Sequence, residues 1–269
     1  MNRKAKKKSS RHGSFSTFVS PIPKVVLTQG LEVRWVVLKI LDGIFFEKRT
    51  LLDLTSDKKH PFSLLKTHQK ARTLSLADNV LRYLSGVDEV IECYITKKTN
   101  TTVINILRIA FVELALDRLP AHAVVDSAVR ICKIDRKIRF MSGLVNAVCR
   151  RLSERLENRI CILKPNLSCD LSKKLKSIYG ELVTKKISDS LSKKPLIDIT
   201  VKKQRYINKF AKILQANILP TGTLRISERP QISKLKGFKE GDWWVQDSSA
   251  AIVVLTAGNL SGKKVLDVC

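Results

Sequence analysis

Aromatic residues make up only 6% of this chain, so its core has to be built from aliphatic side chains. Histidine is scarce too, with four in 269 residues, and no two of the six cysteines stand in C-x-x-C spacing. That pattern argues against a zinc site, and no metal is expected. Several cysteines sit among aliphatic residues, where a free thiol behaves as a small hydrophobe. A reducing compartment without a disulfide framework is expected. No apolar run approaches the ~18 residues of a membrane-spanning helix. The most apolar stretch, Val103 to Leu116, is interrupted by Arg108 and Glu113. No internal repeat is visible. Acidic residues are also in short supply: 24 Asp and Glu face 50 Lys and Arg, a formal charge of +26.

A chain this basic concentrates polyanions around itself, and nucleic acid is the commonest of them. The first 31 residues carry seven basic residues and no acid. Most are lysines with no apolar face between them, which reads as a disordered basic arm over 1–24 and not as a transit peptide.

Helical periodicity follows. Leu31 to Leu54, Leu64 to Leu84 and Val87 to Ile95 each read as helix. Thr99 to Leu119 is the strongest helix. Asn105, Arg108, Glu113 and Asp117 share one side and the rest is apolar, which places it at the centre of a bundle. Val125, Ala128, Val129 and Cys132 mark a further helix, and Phe140, Met141, Leu144, Val145, Val148 and Leu152 one more stripe. Residues 25–157 are therefore expected to be an all-α domain.

After Pro165 a Lys-rich helical connector leads to Leu196–Val201, an alternating β-branched run typical of a strand. Arg205 to Asn217 reads as helix, Pro220 to Gly222 as a turn, and Thr223 to Ser227 as extended. Residues 158–238 are thus a connector followed by a small α+β module, expected to be RRM-like. Between Lys193 and Lys212 this module holds seven basic residues and one acid. From residue 239 the pattern changes to an apolar helix, Ala250 to Ala257, a glycine-flanked turn, and Lys264 to Cys269 as a buried strand. That order is the opening of a doubly wound α/β domain. The expected fold is mainly α: a helical bundle, a small α+β module, and the first helix and strand of an incomplete Rossmann-like domain.

Two sets of residues carry a family resemblance. Leu107 to Ala110, Leu119 to Ala121, Val125 to Ala128 and Val145 to Leu152 resemble, in order and spacing, a NusB-like RNA-binding helical domain. Gly241-Asp-Trp-Trp-Val-Gln-Asp-Ser-Ser-Ala250, followed by Lys264 to Cys269, resembles the stretch that precedes the S-adenosylmethionine loop in the RsmB/Sun family of bacterial ribosomal-RNA cytosine-C5 methyltransferases. The resemblance covers essentially residues 28–269. It implies a methyltransferase domain beginning at 239, with Asp267 and Cys269 at cofactor positions and Gln246 and Asp247 bracing the loop. The match breaks off at Cys269, so the expectation is a chain truncated before the glycine-rich loop and the catalytic cysteines.

In that family a cysteine thiolate adds to carbon-6 of cytosine and makes carbon-5 nucleophilic enough to take the methyl group. None of the cysteines here fits that role. Cys93, Cys132 and Cys149 read as core, Cys161 and Cys169 lie in the connector, and Cys269 matches the cofactor loop. S-adenosylmethionine is therefore a cofactor of the complete family enzyme, and none is expected on this chain. Binding of small-subunit ribosomal RNA by a cytoplasmic monomer is the expected function. Lys202, Lys203, Arg205 and Lys209 are the leading phosphate contacts, and Arg150 and Arg151 are a second pair. Tyr206 and Phe210 are the only aromatics between Leu196 and Ser227, and Phe210 reads as core. A stand-alone NusB-like RNA-binding adaptor is the alternative, and a helical protein-interaction module is a third reading.

Overall fold

The computed structural model describes residues 22–28, 30–95, 97–157, 167–190, 195–227, 230–266 and 268. The chain forms two compact units, 1–192 and 193–269. The basic arm lies outside the described residues, apart from Ile22 to Lys24.

The first unit is a helical bundle. Its helices are α1 (Lys24–Thr28), α2 (Glu32–Glu47), α3 (Leu51–Ser56), α4 (Thr67–Arg82), α5 (Leu84–Glu92), α6 (Thr101–Ala115), α7 (Ala121–Ile134), α8 (Ser142–Glu157) and α9 (Cys169–Ser190). Local chemistry sets several boundaries. The Thr50 side chain accepts from the Asp53 N–H and the Asp53 carboxylate accepts from the Thr50 N–H, a capping box that starts α3. The Asn100 side chain accepts from the Thr102 N–H at the start of α6. Leu31 to Leu54 is thus two helices, because Lys48 takes a left-handed conformation at φ 58° and ends α2.

The α6 helix is central, as its composition predicts: Val103, Ile106, Leu107, Phe111 and Val112 are all buried, against α2, α4, α5, α7 and α8. Its polar residues do not face water, however. Asn105, Arg108 and Glu113 are buried, each matched by a partner from another helix. Asn105 donates to Asp42 at 2.9 Å, and Arg108 donates to both oxygens of Asp88 at 2.6 Å. Glu113 accepts from Arg34 at 2.8 Å. Buried polar groups are tolerated when paired in this way.

Phe140 departs from the expected stripe and is 79% exposed. It lies in a tight 3-10 turn, Arg139–Met141, ahead of α8, where the α-helical period does not apply. Cys132 and Cys149 are core, whereas Cys93 is exposed at the C-terminal end of α5. Among the described residues no helix is long and apolar enough to cross a membrane.

The second unit contains β1 (Ile197–Val201), α10 (Ile207–Leu214), β2 (Asn217–Ile218), β3 (Leu224–Ile226), β4 (Trp243–Val245) and α11 (Ser248–Thr256). Its four-stranded sheet has the order β2-β3-β1-β4, and every pair is antiparallel. One face packs Ile199, Val201, Leu224, Ile226 and Trp243 against Phe210 and Leu214 of α10. Trp243 to Val245, expected at the opening of a separate domain, is the fourth strand of this sheet, with Trp243 opposite Val201. The helix expected near Ala250 is α11, capped by Asp247, whose carboxylate accepts from the Ser249 N–H at 2.7 Å. Of the strand expected from Lys264, the described residues Lys264 to Leu266 and Val268 lie in no strand. Val265, Leu266 and Val268 are exposed, and a buried parallel strand needs neighbours on both sides that no described residue supplies.

Candidate nucleic-acid interface

Where β1 ends, the chain turns through Lys202-Lys203-Gln204-Arg205-Tyr206 before entering α10. Alternation along β1 sends Val201 inward, and the following turn is exposed from Lys202 to Tyr206. The Lys202 N–H donates to the Asp242 carbonyl at 2.8 Å, which holds this turn beside the Gly241–Trp243 segment. Gln204 donates to the Gly222 carbonyl at 2.9 Å and fixes the other side of the turn.

The result is a concavity of about 310 Å³ lined by Lys202, Lys203, Tyr206, Lys209, Phe210 and Asp242. Arg205 lies beside it, its guanidinium 4.9 Å from the centre of the Tyr206 ring. The Lys209 ammonium is 5.6 Å from the same ring. These cation–π contacts hold the two charges near the tyrosine. The Tyr206 ring is 39% exposed, while Phe210 is buried as the sequence predicts.

Lys202, Lys203 and Lys209 therefore line one surface, with Arg205 at its border. Arg150 and Arg151 belong to the other unit, on the exposed side of α8, and make no ion pair among the described residues. Asp267 and Cys269, the two positions matched to a cofactor loop, lie outside the described residues. Gln246 accepts from the Trp244 ring N–H at 3.1 Å, and Asp247 is occupied as the α11 cap.

Two features escaped the sequence reading. Asp242 comes from far along the chain and adds an acidic residue to the lining of the basic concavity. In the first unit, Phe140 is surrounded in sequence by the exposed Arg136, Lys137 and Arg139. An exposed aromatic among cations is the composition that single-stranded RNA binders use.

Two of the described cysteines, Cys132 and Cys149, are buried in the bundle core. Burial pushes the Cys149 thiol up to about 12 and the Cys132 thiol up to about 11, so both stay protonated at neutral pH.

The chain thus combines a helical unit with a small antiparallel α/β unit that carries a cationic, aromatic concavity. Residues 32–154, which lie within the helical bundle, match the NusB family. The chain is similar to ribosomal RNA small subunit methyltransferase B from Pasteurella multocida (strain Pm70), with 26% identity over 268 residues. That match covers 94% of this chain and 58% of the relative. The resemblance to the RsmB/Sun family thus runs along nearly the whole sequence. The fold recurs in the solved structure of PH0851, at 16% identity and a TM-score of 0.53, covering 88% of this chain and 56% of that one. NusB from T. maritima is 20% identical, with a TM-score of 0.39, over 50% of this chain and 93% of that one. The chain spans somewhat over half the length of the methyltransferase relative.

Proposed function

We propose that this chain binds small-subunit ribosomal RNA, as the RNA-engaging portion of an RsmB-like cytosine-C5 methyltransferase. The observation that carries this reading is the concavity of the second unit, where three lysines and an exposed tyrosine share one surface. Lys and Arg neutralise phosphates and release counterions, and an aromatic ring offers a stacking platform for an unpaired base.

The sheet order β2-β3-β1-β4, with α10 between β1 and β2, supports an RRM-like reading of the second unit. RRM sheets stack bases on aromatics of their outward face. Here that face of β1 and β3 carries Asp198, Thr200 and Arg225, and Asp198 is bound to Arg225 and to the Ser248 N–H. RNA contact is assigned first to the turn after β1, while the exposed Trp244 of β4, the register partner of Thr200, adds an aromatic to that face of the sheet.

The family cofactor is S-adenosylmethionine. The described residues near Asp267, from Lys264 to Leu266 and Val268, are open to solvent and give no enclosed crevice for a nucleoside-sized ligand.

Binding of a ribosomal RNA fragment, measured by fluorescence anisotropy, tests the reading. Charge reversal at Lys202, Lys203, Arg205 and Lys209 is expected to weaken binding at least tenfold. Unchanged affinity would overturn it. A second reading, a NusB-like RNA-binding adaptor, is favoured by the exposed Phe140 beside Arg136, Lys137 and Arg139. Loss of binding on charge reversal there, with none from the first set, would select it.

A further inference from the structure

The concavity contains one residue that phosphate binding does not explain. Asp242 is the single carboxylate among its lining residues. A negative charge there repels phosphate, so it is a poor component of a purely electrostatic RNA groove. Its carboxylate makes no ion pair among the described residues, although Lys202, Lys203 and Lys209 line the same space. Its backbone is pinned at both ends. The Asp242 N–H donates to the Gly237 carbonyl at 2.9 Å, and its carbonyl accepts from Lys202 at 2.8 Å. The next residue, Trp243, is 2% exposed and donates its ring N–H to the Lys236 carbonyl at 3.0 Å. The backbone bearing this carboxylate is therefore held in place.

An ionised carboxylate only accepts hydrogen bonds, and it does so through two oxygens. The four RNA bases differ in what they offer such a group. Guanine presents two adjacent donors, N1–H and the N2 amine, on its Watson–Crick edge. Adenine and cytosine each place a ring-nitrogen acceptor beside their amine, which the carboxylate repels. Uracil places its N3–H between two carbonyl oxygens. A carboxylate on a held backbone, beside a stacking ring, thus favours guanine. The edge must be free of a pairing partner, which restricts the site to single-stranded RNA. The size agrees: about 310 Å³ lies at the small end of the ~300–1,000 Å³ range of ligand sites, suited to one nucleotide and not to a duplex.

We propose that the concavity reads an unpaired guanine in single-stranded RNA. The base stacks on Tyr206, displacing a cation that lies over its ring, its N1–H and N2 amine donate to Asp242, and the flanking phosphates lie on Lys202, Lys203 and Lys209. This rests on the reading that the second unit binds RNA.

The test uses the full chain and short uridine-rich RNAs that differ at one central base: guanine, inosine, adenine or cytosine. Inosine keeps N1–H and lacks the N2 amine. The guanine RNA is expected to bind about tenfold tighter than the adenine and cytosine RNAs, with inosine between them. Asp242→Asn, verified as folded by circular dichroism, is expected to bring all four within twofold of one another. Tyr206→Ala is expected to weaken all four. Salt-dependent binding of all four with equal affinity would overturn the guanine assignment and leave the RNA-binding reading standing. Retention of the guanine preference in Asp242→Asn would overturn the role of Asp242. Failure of all four RNAs to bind at low salt would overturn both.

Discussion

Asp198 and Arg225 face each other across β1 and β3 as register partners, joined by two hydrogen bonds of 2.6 and 2.7 Å. The Asp198 side chain is 2% exposed and also accepts from the Ser248 N–H, so one carboxylate ties two strands to the start of α11. These donors, the Arg225 guanidinium first, hold its carboxyl below the usual carboxylate range. A depressed carboxylate contributes stability above its unfolded pKa near 3.8, and that contribution is lost as pH falls through the folded value. Asp198→Asn leaves Arg225 without its charge partner. Arg225 stays partly hydrated, so the expected loss is about 2 kcal/mol, towards the low end for a broken ion pair. Urea unfolding at pH 7 measures it, and a change below about 0.5 kcal/mol would contradict the assignment.

His60 is buried at the head of the Pro61–Leu64 turn, where its Nδ1 accepts from the Phe62 N–H at 3.2 Å. Burial, reinforced by the nearby Arg49, lowers its pKa from 6.5 to about 4. The folded state therefore holds a neutral imidazole, and the unfolded chain takes up a proton first as the solution is acidified. The stabilisation is fully present above about pH 6.5 and decreases as pH falls towards 4. Between pH 7 and pH 5 the bundle is expected to lose roughly 2 kcal/mol. His60→Asn, which keeps an acceptor and removes the titration, should flatten that slope. An equal slope in both proteins would rule out His60 as its source.

Gly237 has a φ of 92°, and a Cβ there would fall 2.7 Å from both Phe210 and the Trp243 ring nitrogen. Both rings belong to the core of the second unit, which cannot yield without moving the Asp242 segment. Gly237→Ala is expected to cost roughly 2–4 kcal/mol through backbone strain and overpacking. Tryptophan fluorescence during urea unfolding would register it, and a wild-type midpoint would show that the close approach is absent.

Much of the bundle is legible in the sequence because each helix carries its own 3.6-residue stripe. Caps such as Thr50 and Asn100 are local as well. What escaped depends on distant partners. Asn105, Arg108 and Glu113 read as a polar side, yet Asp42, Asp88 and Arg34 arrive from other helices to bury them. Strands β2 and β4 have two and three residues, too short for periodicity, and exist through pairing with β3 and β1. The turn after β1 declared its charges openly. Asp242 did not declare its place, because only the Trp243–Val201 pairing brings it to the lysines.

Thiol accessibility divides the described cysteines. Cys93 and Cys169 are exposed, whereas Cys132 and Cys149 are buried with raised pKa values. Alkylation of the native protein, mapped by mass spectrometry, should label the first two within minutes and the second two only after unfolding. Rapid native labelling of Cys149 would contradict its placement between α8 and the rest of the core.

Binding of RNA through the turn after β1 is tested most directly by the salt dependence of affinity for single-stranded RNA. Each phosphate neutralised on a single strand adds about 0.7 to the slope of log affinity against log salt. Replacing Lys202, Lys203, Arg205 and Lys209 together with alanine is expected to make that slope shallower by about 3. A variant with the wild-type slope would place the RNA elsewhere on the molecule.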